Sequence, residues 1–181
     1  YVTFVINSND RSLSKWQGRF NELNNKKLIP IVRIATYANG SNWEHPVLDD
    51  PKDWAKFLNS LYWPTKKKIV VLYNEPNHGT EWGGSVDPGD FALHIDQMIT
   101  ELKKISPDFV VLNPGFDSSA PQQFPRYMDQ VAFMDAMETI VPGIFSKFDG
   151  WSSHSYPNPG FSGKPTDTGR GTVSGYKWEL D

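Results

Sequence analysis

The stretch Lys68-Ile-Val-Val-Leu-Tyr-Asn-Glu-Pro-Asn77 sets an apolar, β-branched run directly against an acid and a proline. A buried strand does not run into Asn74 and Glu75 unless the carboxyl group is wanted at its C-terminal end, where Pro76 stops it. The plainer reading is a solvated carboxylate at a strand end. A second polar pair lies in Trp151-Ser-Ser-His-Ser-Tyr156, where His154 and Tyr156 are two residues apart. On a strand that spacing puts both on one face. Core residues with local partners are the alternative. Arg33 interrupts Ile29-Pro-Ile-Val-Arg-Ile-Ala-Thr36, otherwise an apolar strand. A guanidinium buried there needs an anion nearby, because leaving it unpaired costs several kcal/mol. A catalytic carboxylate would serve; so would a loop carboxylate or solvent.

The elements that must position these groups alternate along the chain. Strand candidates are Tyr1–Ile6, Ile29–Thr36, Lys68–Asn74, Phe109–Asn113 and Gly150–Tyr156, each mostly apolar throughout. Such runs imply burial on both faces, as in a parallel sheet covered by helices. Trp16, Phe20 and Leu23 mark the first helix; Trp54, Phe57, Leu58 and Leu61 the second, behind Asp50-Pro51. Phe91, Ile95, Met98, Ile99 and Leu102 mark the third, behind Asp87-Pro88, and a less regular pattern covers Tyr127–Val141. Trp16, Trp54 and His94 are read as packing residues of these helices. The strands recur about every 36 residues, so eight units would need about 290 residues, the usual size of a (β/α)8 barrel. The expected fold is therefore α/β, a (β/α)8 TIM barrel that is incomplete here, with about five units. Long segments follow the strands at Tyr37–Asp50, Glu75–Asp87, Pro114–Arg126 and Pro157–Gly175, the side on which barrels build their sites. An open doubly wound sheet would want a Gly-rich phosphate turn after the first strand, and Asn7-Ser-Asn-Asp10 is not one.

Composition narrows the function classes. The chain has 181 residues and a formal charge of −3 from 18 basic and 21 acidic side chains. That mixed, nearly balanced charge argues against nucleic acid or an acidic membrane as partner. Without cysteine there is no disulfide framework, no zinc–thiolate site and no thiol nucleophile. Four scattered histidines, one of them on a strand, do not make a metal-hydrolase cluster, so no metal or other cofactor is expected. No apolar run reaches the roughly 18 residues of a membrane span, so the chain reads as soluble and its compartment stays open. The 14% aromatic content, with 7 Trp, suits flat apolar partners such as sugar rings.

Asn74-Glu75-Pro76-Asn77 at a strand end resembles the acid/base motif of glycoside hydrolase clan A. The His154-x-Tyr156 pair is similar to that on the sixth strand of cellulase-like members. The likeness extends over all five units, as barrel strands 2 to 6, and lies nearest to family 5-like and family 39-like enzymes. The resemblance implies a retaining glycosidase domain over residues 1–181, with Glu75 as general acid and then base. Retention needs a second carboxyl roughly 5–5.5 Å away as nucleophile, and the resemblance puts it on a seventh strand beyond Asp181. It further implies that Asn74 hydrogen-bonds the sugar 2-OH, and that His154 and Tyr156 reach substrate and orient the nucleophile. Arg33 would sit near that nucleophile, although clan members usually carry the arginine one strand earlier. In the loop Asn77-His-Gly-Thr-Glu-Trp-Gly-Gly84, Trp82 is a candidate stacking platform for sugar, with Asn77, His78 and Glu81 as hydroxyl binders. Trp43 and Tyr37 are weaker candidates of the same kind.

Asp149 precedes its strand and Asp117 sits in a loop, so neither reads as the nucleophile. The apolar start at Tyr1 and the helical pattern at Tyr176–Asp181 suggest a piece of a longer chain whose remaining barrel is its partner. Alone, this piece is expected to lack activity and to leave two open sheet edges. The substrate class is a poly- or oligosaccharide, unspecified in sugar and linkage. A non-catalytic carbohydrate-binding barrel is the alternative function.

Overall fold

The computed structural model describes residues 1–47, 50–158 and 160–181. Leu48 and Asp49 of the second post-strand segment, and Pro159 of the last, lie outside them. The architecture is mixed α/β around a parallel sheet of four strands. In chain order the elements are β1 (Val2–Asn7), α1 (Leu13–Asn25), β2 (Pro30–Ala35), the short β3 (Ala38–Asn39) and β4 (Asn42–Trp43), and α2 (Asp50–Ser60). There follow β5 (Lys68–Leu72), α3 (Pro88–Ile105), β6 (Phe109–Leu112), α4 (Gln130–Ile140) and α5 (Gly175–Leu180). The sheet runs β1-β2-β5-β6 with every pair parallel, while β3 and β4 form a separate antiparallel hairpin. Because successive strands sit side by side, all their C-terminal ends open on one edge, and the long loops gather there.

Local chemistry starts the helices where the sequence calls for it. Asp87 caps α3 by accepting from the Asp90 N–H at 2.9 Å, with Pro88 in the first turn. Asp129 caps α4 through Val131 and Ala132. The helices bury Phe20, Trp54, Phe91 and Phe133 completely against the sheet residues Ile6, Ile34, Leu72 and Phe109. Each large apolar side chain so removed from water contributes about 2–3 kcal/mol. Trp16 stacks on Phe4 at 5.5 Å between centroids, and Trp54 is fully buried, both as expected of packing residues.

The expected fifth strand over Gly150–Tyr156 is absent. Gly150 makes a lone parallel bridge to Leu112, and beyond it the Asn113 side chain does what a ladder would do. Its Oδ1 accepts from the Ser152 N–H at 2.5 Å and its amide donates to the Ser152 carbonyl at 3.1 Å. A serine-rich segment has little strand propensity of its own, so a side-chain clip holds it beside β6. Asp149 is a clip too, binding the Val111 N–H at 2.7 Å and the Lys103 ammonium at 2.5 Å.

His94 packs on α3 as expected, with its Nε2 hydrogen-bonded to the buried Tyr73 hydroxyl at 2.7 Å. Burial pushes its pKa down from 6.5 to about 4, with the Asp90 charge opposing and His45 adding to the fall. The ring is therefore neutral when folded, while the unfolded chain takes up a proton below pH 6.5. Stability is complete above that value and declines as pH falls towards 4, by about 3 kcal/mol in all. Thermal melts across that window should show the decline in the wild type and a flatter profile in His94→Gln. Equal slopes would contradict it.

Candidate functional site

Immediately past β5 the backbone departs from strand geometry. Tyr73 has φ +63° and Glu75 φ +33°, both in the left-handed region that non-glycine residues avoid at a cost of about 1–3 kcal/mol. The kink is held from outside: the Glu75 N–H donates to the Gly115 carbonyl at 2.9 Å, tying the end of β5 to the loop after β6. The result places the Glu75 carboxyl at the C-terminal edge of the sheet, with its side chain 19% exposed.

Glu75 and His154 meet there. Oε1 of Glu75 lies 2.6 Å from Nδ1 of His154. An ionised Glu75 accepts the ring N–H; a protonated Glu75 donates to the neutral ring. Gly115 makes room for the imidazole, since a Cβ at that position would lie 2.1 Å from the ring. His154 and Tyr156 do not share a strand face. The Tyr156 N–H turns back onto the His154 carbonyl at 3.0 Å, so the chain bends between them. Their rings nevertheless lie 5.6 Å apart, and Tyr156 is 43% exposed at the rim beside Phe161.

On the other side of Glu75, Arg33 donates through Nη1 to the Asn74 side-chain oxygen. The expected anion is not in ion-pair contact: among the described residues no carboxylate comes within 4 Å of this guanidinium, and its Nε is buried without a partner. The Asn74 side chain also reaches the Glu81 carboxyl. Burial pushes Glu81 above the ordinary carboxylate range; Asn74 opposes this, Glu75 adds to it, and Arg33 and His78 offset part. A cleft of about 140 Å3 opens here, lined by Arg33, Ala35, Thr36, Trp43, Tyr73, Asn74 and Glu81.

His78 is half-buried, its Nε2 2.7 Å from Oδ2 of Asp117. Burial works to lower its pKa, but the Asp117 hydrogen bond and charge, with Glu75 and Glu81 behind them, raise it overall. Asp117 is held below its usual range: burial opposes this, and the His78 bond and the Ser119 N–H outweigh it.

Two expected ligands are structural instead. Asn77 is wholly buried; its amide donates to the Asp117 and Met128 carbonyls, and its oxygen accepts from the Asp117 N–H. It clamps three loops together and has no group left for a sugar. Trp82 is 2% exposed, with its indole N–H on Asp90 at 2.7 Å and its ring edge-on to Tyr73 and Phe91. It cannot offer a face to substrate. Its burial comes from Tyr73, Phe91 and Asp90, neighbours that the loop sequence alone does not reveal. The pairing of His78 with Asp117 was also missed, because it joins loops 39 residues apart. Thr36 carried no signal beyond its place at the end of β2.

These elements define a mixed α/β chain with a carboxyl–imidazole pair and an arginine-bearing cleft at the C-terminal edge of its parallel sheet. No protein-family model matches the chain, and no curated protein matches it. Among solved structures it is similar to a monomeric β-xylosidase from Caulobacter crescentus CB15, with a TM-score of 0.56 and 17% identity over 81% of this chain. At that identity the likeness concerns the fold. The chain spans 31% of the length of that enzyme. Among the described residues no helix is long and apolar enough to cross a membrane.

Proposed function

We propose that residues 1–181 are part of a (β/α)8 glycosidase domain of the clan A kind, acting on O-glycosidic bonds of a poly- or oligosaccharide with retention. The observation that carries the reading is the Glu75–His154 pair, set in a strained turn at the C-terminal end of a parallel strand. The likeness to a β-xylosidase supports the same class. In this reading Glu75 protonates the departing oxygen as the glycosidic bond breaks, and then takes a proton from the water that releases the sugar. His154 holds the carboxyl in place and shares its proton. Asn74, fixed by Arg33, presents its amide to the bound sugar. Tyr156 lines the rim. The nucleophilic carboxylate belongs to a strand outside these residues. His78 acts through Asp117 and the loop it anchors.

The test is turnover of glycosides by the complete protein, wild type and Glu75→Gln. The wild type hydrolyses at least one aryl glycoside, and the variant is impaired most where the leaving group is poor. A wild type that binds saccharide and turns over none would favour the carbohydrate-binding alternative.

A further inference from the structure

His154 owes its place to a segment with no ladder of its own. Upstream, the Asn113 side chain clips Ser152. Downstream, the chain from Tyr156 to α5 forms no strand or helix among its described residues. Other contacts must press His154 onto Glu75, because the two lie 79 residues apart on different loops.

The loop after β6 is their common support. From the Glu75 side, Asn77 grips the Asp117 backbone and His78 its carboxyl. From the His154 side, the Asn158 amide donates to the Ser119 hydroxyl at 2.6 Å, and Nε of Arg170 to the Ser118 carbonyl at 2.5 Å. The Asn158 N–H also donates to the Gly171 carbonyl at 3.0 Å, which ties the stretch around Arg170 to the one that follows His154. Asp117, Ser118 and Ser119 thus carry one half of the site on each side.

Arg170 is the charged member of this brace. Its Nη2 is buried and lies 2.6 Å from Oδ2 of Asp129, the residue that caps α4. Burial works to raise the pKa of Asp129, but Arg170 and the Ala132 and Val131 N–H groups hold it below the usual carboxylate range, so the pair stays charged at neutral pH. The guanidinium carbon sits 5.0 Å from the ring centroid of Trp178 on α5. That helix in turn gives its Tyr176 N–H to the Ser155 hydroxyl, next to His154, at 2.8 Å. Gly169 and Gly171, with φ +90° and +70°, let the chain turn sharply on either side of the arginine. One planar fork serves two acceptors and lies over an indole, a combination that lysine does not reproduce.

We propose that Arg170 is a positioning residue that holds the His154 ring against Glu75, acting through Ser118 and the segment after Tyr156 and touching no substrate itself. Its contribution to rate rests on the glycosidase reading; its hold on the ring does not.

The experiment is proton NMR of the complete protein carrying isotope-labelled histidine, as wild type, Arg170→Ala and Arg170→Lys. The Nδ1–H of His154, held 2.6 Å from a carboxyl oxygen, should give a downfield signal shielded from solvent exchange, identified by its absence from His154→Gln. In Arg170→Ala that signal should be lost to exchange. Arg170→Lys keeps the charge beside Asp129 but not the fork; it should show the same change in lesser degree, and it decides the matter if Arg170→Ala does not fold. In turnover of glycosides with poor leaving groups, Arg170→Ala should lower kcat by about tenfold or more with KM nearly unchanged, the cost of a misplaced group rather than of lost binding. Adding Arg170→Ala to Glu75→Gln should cost little further, because both act on one contact. A wild type without the signal, Arg170 variants that retain it unchanged, or losses that add in the double variant would overturn the assignment. A signal lost in Arg170→Ala, from a wild type that hydrolyses no glycoside, would overturn the hydrolytic reading and leave the hold on His154 standing.

Discussion

Glu75→Gln should slow hydrolysis of unactivated glycosides by about 10²–10⁴-fold, the usual contribution of a positioned proton donor. Aryl glycosides whose leaving phenols need no proton should lose far less. Glutamine keeps the hydrogen bond to His154 and the shape of the turn, so the difference between the two substrate classes reports the missing proton. Steady-state rates over a series of leaving groups measure it. Equal losses across the series would mean that Glu75 is not the acid.

Gly115→Ala should be nearly as damaging, although the residue touches no substrate. Its Cβ would meet the His154 ring at 2.1 Å, and neither neighbour can yield easily, because the Gly115 carbonyl also holds the Glu75 N–H. Displacing the imidazole by about 1 Å is expected to cost on the order of 10²-fold in kcat. The fold should survive, since the site lies at the rim of the sheet, and circular dichroism checks this. The loss should not add to that of His154→Ala, because both variants remove the same contact. Additive losses would place the effect of Gly115 elsewhere.

Much of the scaffold was legible because its signals are local. The four strands of the sheet are apolar β-branched runs, and α3 and α4 begin at aspartates that cap them. The strand expected at Gly150–Tyr156 misled because its aromatic ends resemble a buried strand, while the pairing is actually carried by Asn113. At the site, Glu75 and His154 could be singled out by type and position, and the structure brings them into contact. Trp82 and Asn77 could not be judged the same way. Whether an aromatic ring faces solvent or core, and whether an amide is already saturated, depends on loops that only the folded chain brings together. Glu81 is the reverse case, a loop residue that the fold sets on one cleft with Arg33, Asn74 and Trp43.

The central claim is that Glu75 is the acid/base of a retaining glycosidase, and chemical rescue tests it most directly. In Glu75→Ala, an aryl glycoside with a good leaving group can still form the glycosyl–enzyme bond, but no base remains to activate water for its release. Azide needs no such base. Added to the complete variant protein, azide should accelerate turnover and yield a glycosyl azide with the anomeric configuration of the substrate, as read by proton NMR. Turnover that azide leaves unchanged, with free sugar as the sole product, would contradict the assignment.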